Sequence, residues 1–330
     1  MRLNGARIRR LHARLQLHLP EPTDALGGLN SMVTNLGVSL SSPDLVMPIL
    51  VRSLGGSSVL IGALPAVRFG LYWLPQFLVS GWLQQRLRRL PIYVSLEFGR
   101  AAIYGAIALA LLLLLPSQPG VLLWTMFLLF AITRVLVGTA DLAITDVFGR
   151  IVRQTGRARF YAVRSLLGGV GGLTAGLLVS LSLRYGGQGL RVYSLLFLGS
   201  GLAFMTAALV GRRLKEPPVR RRSEWLRLSD QWRRVPEILR TPNYARLLAV
   251  RFLVAMIRIA DPFYVIYAVE RLAAPEAIAG LYLSMVTLAS LSGNVVWPRL
   301  DGLLGRVQTL RLTMVVSLAV PLLALGLGAL

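Results

Sequence analysis

The chain has 330 residues, of which 55% are hydrophobic and only 15% charged, and its mean hydropathy is +0.63. That balance describes a polytopic membrane protein and excludes an ordinary soluble domain. The formal charge of +22 does not signal a nucleic-acid partner, because the basic residues cluster between apolar runs and do not line one polar face. There is no cysteine, and His12 and His18 both precede the first apolar run. Disulfides, thiolate catalysis, cysteine metal sites and a histidine centre inside the membrane are therefore excluded, and neither a metal nor another cofactor is expected.

Residues 1–28 carry Arg2, Arg7, Arg9, Arg10 and Arg14, with Ile8, Leu11 and Leu15 spaced three and four apart. This pattern reads either as a basic helix on anionic lipid headgroups or as a disordered basic tail. It lacks the unbroken apolar core of a cleaved signal peptide. An apolar run of about twenty residues, at ~1.5 Å per residue, crosses the ~30 Å hydrocarbon core of a bilayer. By that measure spans are expected at roughly 29–51, 58–80, 92–115, 121–147, 161–183, 192–211, 247–269, 275–297 and 312–330.

These spans sort the basic residues by side. The amino terminus and the loops after the even-numbered spans hold 26 of them, whereas the other loops hold only Arg52, Arg184, Arg191 and Arg271. Cytoplasmic loops concentrate Lys and Arg, so the alternation predicts nine spans with the amino terminus in the cytoplasm. The one long polar segment, 212–246, has eleven basic residues, the pair Pro217-Pro218 and a stretch, SEWLRLSDQWRRV, that fits an amphipathic surface helix. The expected organisation is a basic amino-terminal segment (1–28), a first six-helix bundle (29–211), a cytoplasmic linker (212–246) and three helices of an incomplete second bundle (247–330).

Several motifs point to one family. The turn GWLQQRLRRLP at 81–91 joins two spans, and its Gly81, Leu83, Arg86 and Arg89 fall at the positions of Gly-x-Leu-x-Asp-Arg-x-Gly-Arg-Arg. It thus resembles the loop between helices 2 and 3 of the major facilitator superfamily, with Gln85 replacing the Asp and Arg88 the second Gly. WPRLDGLLGR at 297–306 imperfectly repeats this turn in the second half, through Asp301, Gly305 and Arg306. LKEPP at 214–218 is similar to the superfamily's exit from its first half, and Arg134 followed by Gly138 is similar to its fourth-helix pattern. LGVSLSSPDLVMP resembles its first-helix pattern with the second proline displaced to Pro48. Gly168, Gly172 and Gly176 recur every four residues. They resemble part of the glycine-rich antiporter signature but lack its Gly-Pro, and the ridge reads as a surface for close helix packing. The resemblance implies an all-α membrane bundle of two parallel six-helix repeats. With nine spans the second repeat is incomplete, so a carboxy-terminally truncated transporter is expected.

Charges inside the membrane are costly and mark function or pairing. At ~1.5 Å per residue, Asp44, Arg68, Arg134, Arg258 and Asp261 all fall near the bilayer midplane. Glu97, Arg100, Asp141 and Asp146 fall nearer the cytoplasmic end, beneath the basic loops. Two readings of the midplane set stand. In one, Asp44 pairs with Arg68 across the first hairpin and Arg258 with Asp261 one turn away. In the other, Asp44, Arg134, Arg258 and Asp261 surround a water-filled cavity between the halves. Three Arg against two carboxylates make such a cavity net positive, favouring an anionic or zwitterionic solute.

The expected function is secondary active transport of a small solute by alternating access, coupled to protons or another ion through Asp44 or Asp261. No phosphate-binding loop for ATP is visible, and no cluster of nucleophile, base and metal ligands suggests an enzyme. A monomer in the cytoplasmic membrane is expected, with no nucleic-acid partner. The alternative is a non-transporting receptor or scaffold of the same fold, or an inactive truncated fragment.

Overall fold

A computed structural model describes residues 22–113, 118–186, 189–217, 236, 239–257, 260–305 and 307–317. Among them the chain is helical throughout: α1 (Pro22–Leu40), α2 (Val46–Ser53), α3 (Ser58–Gln84), α4 (Leu90–Leu113), α5 (Pro119–Ile151), α6 (Arg157–Tyr185), α7 (Leu190–Gly211), α8 (Pro242–Ile257), α9 (Asp261–Glu270) and α10 (Ile278–Leu304). A further helical stretch covers 307–317. The amino-terminal basic segment up to residue 21, the surface-helix stretch of the linker, Arg258, Arg306 and the end of the expected ninth span lie outside the described residues.

Six of these segments are single helices long and apolar enough to cross a membrane: α3, α4, α5, α6 with the short 3₁₀ turn ahead of it, α7 and α10. The first expected span is instead built from two shorter helices, and the seventh is described as α8 and α9, with residues 258 and 259 between them outside the described residues. In the first, helix geometry stops at Ser41 and resumes at Val46. Pro43 has no N–H to continue the ladder. Ser42 donates early to the Ser39 carbonyl (3.2 Å), and the Val46 and Met47 N–H groups share the Ser42 carbonyl. Asp44 sits in this break rather than on a continuous helix.

The helices also run beyond the expected boundaries. The first begins at Pro22, seven residues earlier, and α5 and α6 each extend past the apolar run. The turn expected over 81–91 is shorter than its motif: α3 continues to Gln84, with Gly81 and Leu83 both buried in its last turns. In the second-half repeat Asp301 is still helical. Gly305 ends α10 with φ +80°, a left-handed value that favours glycine, and its N–H returns to the Asp301 carbonyl.

Packing follows the small and aromatic residues. α1 lies against α6 and α7, α4 against α5 and α7, and α3 against α5, which closes one bundle. Tyr104 of α4 stacks on Phe197 and meets Phe204, both of α7, with ring centroids 5.9 and 5.0 Å away. Buried Asn30 of α1 ties three helices: its Nδ2 donates to the Ala207 carbonyl (2.9 Å) and its Oδ1 accepts from Tyr93 Oη (3.1 Å). A Cβ at Gly138 of α5 would overlap the Tyr72 carbonyl of α3, so only glycine permits that crossing. Gly138→Ala is expected to force α3 and α5 apart and destabilise the bundle by about 1–3 kcal/mol. A thermal melt followed by tryptophan fluorescence would show an unchanged midpoint if this contact were unimportant.

The second group docks on the first through α10 against α6, and α9 against α2 and α3. The glycine ridge of α6 lies at this junction. Gly168 faces Ser31 and Asn35 of α1, Gly172 faces Thr287 of α10, and Gly176 faces Ser284 and the Gly280 carbonyl of α10. Spacing alone marks this ridge as a packing surface, and the structure supplies its partners.

Candidate functional site

Between the two groups lies a cavity of about 640 Å³, within the range of small-molecule sites. Its walls come from α1, the break after it, α3, α5 and α6 on one side and α10 on the other. The lining mixes apolar side chains such as Phe148 and Leu291 with uncharged hydrogen-bonding groups such as Ser39, Thr145, Ser290 and Asn294. Three charged side chains join them: Asp44, Arg68 and Arg164.

The break in the first span positions Asp44. Its carboxylate pairs with the Arg68 guanidinium of α3, and both side chains stay about a quarter exposed, at 29% and 25%. A pair that is partly hydrated in a cavity can open without the full penalty of a buried pair.

Contacts between the two groups gather at the cavity end farther from the basic loops. Arg52 pairs with Glu270, and Tyr193 Oη donates to Glu276 (2.9 Å). Gly176 and Gly280 bring α6 and α10 into backbone contact there. At the other end Asn294 Nδ2 donates to Ser165 Oγ (2.7 Å).

The basic end is held by a compact ion network. Arg89 reaches Asp146, while its Nε donates to the Leu83 carbonyl (3.0 Å). Asp146 also pairs with Arg150, which reaches Glu216 (3.3 Å). The Glu216 carboxylate accepts the Arg89 and Leu90 N–H groups, both at 2.8 Å, at the start of α4. A distant carboxylate thus satisfies the orphan donors of a helix amino terminus. Arg86 stands apart, over the Trp82 ring at 4.4 Å, and Gln85 caps α3. The Glu216 side chain is only 2% exposed. Glu216→Ala is expected to cost about 3–5 kcal/mol, since it strips a buried partner from Arg150 and two backbone donors. Glu216→Gln should cost less, and equal melting points for parent and both variants would contradict this role.

Of the remaining midplane candidates, neither Arg134 nor Asp261 lines the cavity, and Arg258 lies outside the described residues. Arg134 is buried, 7% exposed, inside the first bundle and away from the cavity lining. Its Cζ lies 5.0 Å over the Phe130 ring and its Nε has no hydrogen-bond partner. Arg100, Tyr104, Arg68 and Asp141 are its electrostatic neighbours. Asp261 begins α9, within electrostatic reach of Tyr282. Of the four charges expected beneath the basic loops, only Asp146 joins the network. Glu97 pairs with Arg100 (3.4 Å), which lies 3.5 Å over Phe204, and Asp141 accepts from Tyr72 Oη (3.0 Å).

Sequence reasoning passed over Arg164, which it placed at the edge of a span. A signal was present: Arg164, Gly168, Gly172 and Gly176 fall at intervals of four on one face of α6. Glu216 was legible only as part of LKEPP.

Apolar spanning helices, the first of them interrupted beside a cavity that holds an ion pair, define a polytopic helical membrane transporter. The family model described as Major Facilitator Superfamily matches residues 28–330, and the chain belongs to that superfamily, whose members move small solutes and are transporters rather than enzymes. Searches among curated proteins and solved structures gave no match.

Proposed function

We propose that the chain is a secondary active transporter that moves a small polar solute by alternating access, with proton coupling. The observation that carries this reading is the cavity between the first bundle and α10, lined by an ion pair and several hydrogen-bonding groups, with the charged contacts between the groups at one end. Rocking one group against the other would break the Arg52–Glu270 and Tyr193–Glu276 contacts and expose the cavity on that side. The basic end is the cytoplasmic one, as the 26-to-4 distribution of basic residues supports. The closed end then faces outward, and the protein sits in the cytoplasmic membrane as a monomer in contact with anionic lipid. Residues 29–211 form the first moving body, 212–246 the linker, and 247–330 belong to the second.

In this mechanism Asp44 carries the coupling proton. Protonation neutralises its carboxylate and frees Arg68, which alters the charge the solute meets. Arg134 shapes the field on Arg68 and Asp141 from within the bundle, and Asp261 and Arg258 act from the second body. A guanidinium stays charged at any working pH, so Arg134→Gln is expected to remove concentrative flux while leaving the protein folded. Normal flux in a folded variant would take Arg134 out of the mechanism.

The cysteine-free chain offers a direct test of alternation. Arg52→Cys/Glu270→Cys joined by a short bifunctional methanethiosulfonate, which spans the length of the lost Arg–Glu pair, should hold the outer end closed. In proteoliposomes with entrapped pyranine, solute-driven proton movement should stop in the cross-linked protein and return when the linker's disulfides are reduced. Unchanged movement in the cross-linked protein would refute the proposed closure.

A further inference from the structure

We infer that Arg164 is the anion anchor of the cavity, and that the solute is a hydroxyl-bearing organic acid whose carboxylate it binds. This rests on the transport reading for its context, but the evidence for it is local. Arg164 lines the cavity on α6. It forms no ion pair among the described residues. Its guanidinium is held by the rings of Phe148, 4.2 Å below Cζ, and Phe160, 5.7 Å away. Cation–π contact fixes the plane of the group without using its N–H donors. A planar fork with free donors in a cavity suits bidentate capture of a carboxylate.

The charge balance points the same way. Asp44 and Arg68 neutralise each other on the wall, and Arg164 is the remaining charged group of the lining. Asp146 is taken up by Arg89 and Arg150 in the network at the basic end, and the other described intramembrane charges of the first bundle are Asp44, Glu97 and Asp141 against Arg68, Arg100, Arg134 and Arg164. That leaves a single positive charge in excess. Asp141 is the nearest acidic influence on Arg164. It already accepts from Tyr72 and does not line the cavity. The other groups acting on Arg164 are the phenols of Tyr93 and Tyr161. Around the cation the lining offers hydroxyl and amide groups, among them Ser31, Asn35 and Ser165, which suit solute hydroxyls.

A test needs no knowledge of the natural solute. Asn35 lines the cavity, is exposed, and faces Gly168, one turn along α6 from Arg164. Its own Nδ2 bonds only locally, to Ser31. Asn35→Cys in the full chain can be reacted with an anionic and a cationic methanethiosulfonate, with rates normalised to 2-mercaptoethanol. The expected result is a preference for the anionic reagent of about fivefold or more, for one charge at close range at intermediate dielectric. Arg164→Gln should abolish that preference and Arg164→Lys retain most of it. Gluconate should protect the thiol, and sorbitol, its neutral counterpart, should not. A preference that survives Arg164→Gln, a cysteine that reacts with neither reagent, or protection by sorbitol equal to that by gluconate, including none by either, overturns the inference. The assay requires no turnover. Anion preference without flux would count against transport and leave the anchor standing, whereas flux without the preference would do the reverse.

Discussion

Gly280→Val is expected to hold the outer end of the protein open. A Cβ at Gly280 would fall against the Ser180 N and Gly176 carbonyl of α6, which are backbone atoms that cannot rotate away. The two helices must separate, and because they belong to different bodies the separation propagates to the Arg52–Glu270 contact. Overpacking of this kind costs about 1–3 kcal/mol. With tenfold per ~1.4 kcal/mol, the balance between the two states should move by roughly five- to 150-fold. Leu50 is fully buried in the apolar cluster that includes Val265 and Ile266 of α9. A Leu50→Cys thiol should therefore label slowly with an impermeant maleimide in the parent and much faster in the Gly280→Val background, while flux falls. Gly280→Ala should give a smaller change in the same direction. Unchanged labelling together with normal flux would show that this glycine contact does not govern closure.

Asp44→Asn is the second large effect. The substitution keeps the size of the side chain in the break of the first span but removes both the counter-charge of Arg68 and the carboxylate proposed to carry the coupling proton. The pair is about a quarter exposed, so its coupling energy should exceed the ~0–1 kcal/mol of a surface pair and fall short of the ~3–5 kcal/mol of a sealed one. Proton-coupled flux is expected to drop by about tenfold or more. The second positive charge then left on the lining should strengthen the anion preference of the Asn35→Cys reporter. Asp44→Asn/Arg68→Gln should restore the parent's melting point and the parent's reporter ratio without restoring flux. Coupled flux at the parental rate in either variant would end the role given to Asp44.

Much of this was legible along the chain, for reasons that belong to the bilayer. A lipid core demands long apolar helices, and the loops between them are sorted by charge, so the approximate positions of most helices could be read from order and spacing, the family from its motifs, and the Asp44–Arg68 pairing as one of two readings. The pair was legible because 58–80 must return antiparallel to 29–51, which sets residues 44 and 68 at similar depth. Depth says nothing about the direction in which a side chain points around its helix. Arg134 and Arg68 are alike in depth, yet the structure turns Arg134 into the bundle over Phe130 and Arg68 into the cavity.

What the sequence determined by itself is therefore the all-helical membrane class, the order of the apolar helices and the charges they carry, because each is a local property of composition and length. Only the tertiary structure decided the rest. It broke the first span at Pro43 so that Asp44 projects from a non-helical segment. It brought Glu216 back across more than a hundred residues to the start of α4. It placed Arg164 on the cavity wall, because the glycines on the same face of α6 admit α1 and α10 closely enough to enclose it. Each of these depends on which helix lies beside which and at what rotation. That is set by the fit of small residues against neighbouring backbones, and no spacing along a single helix contains it.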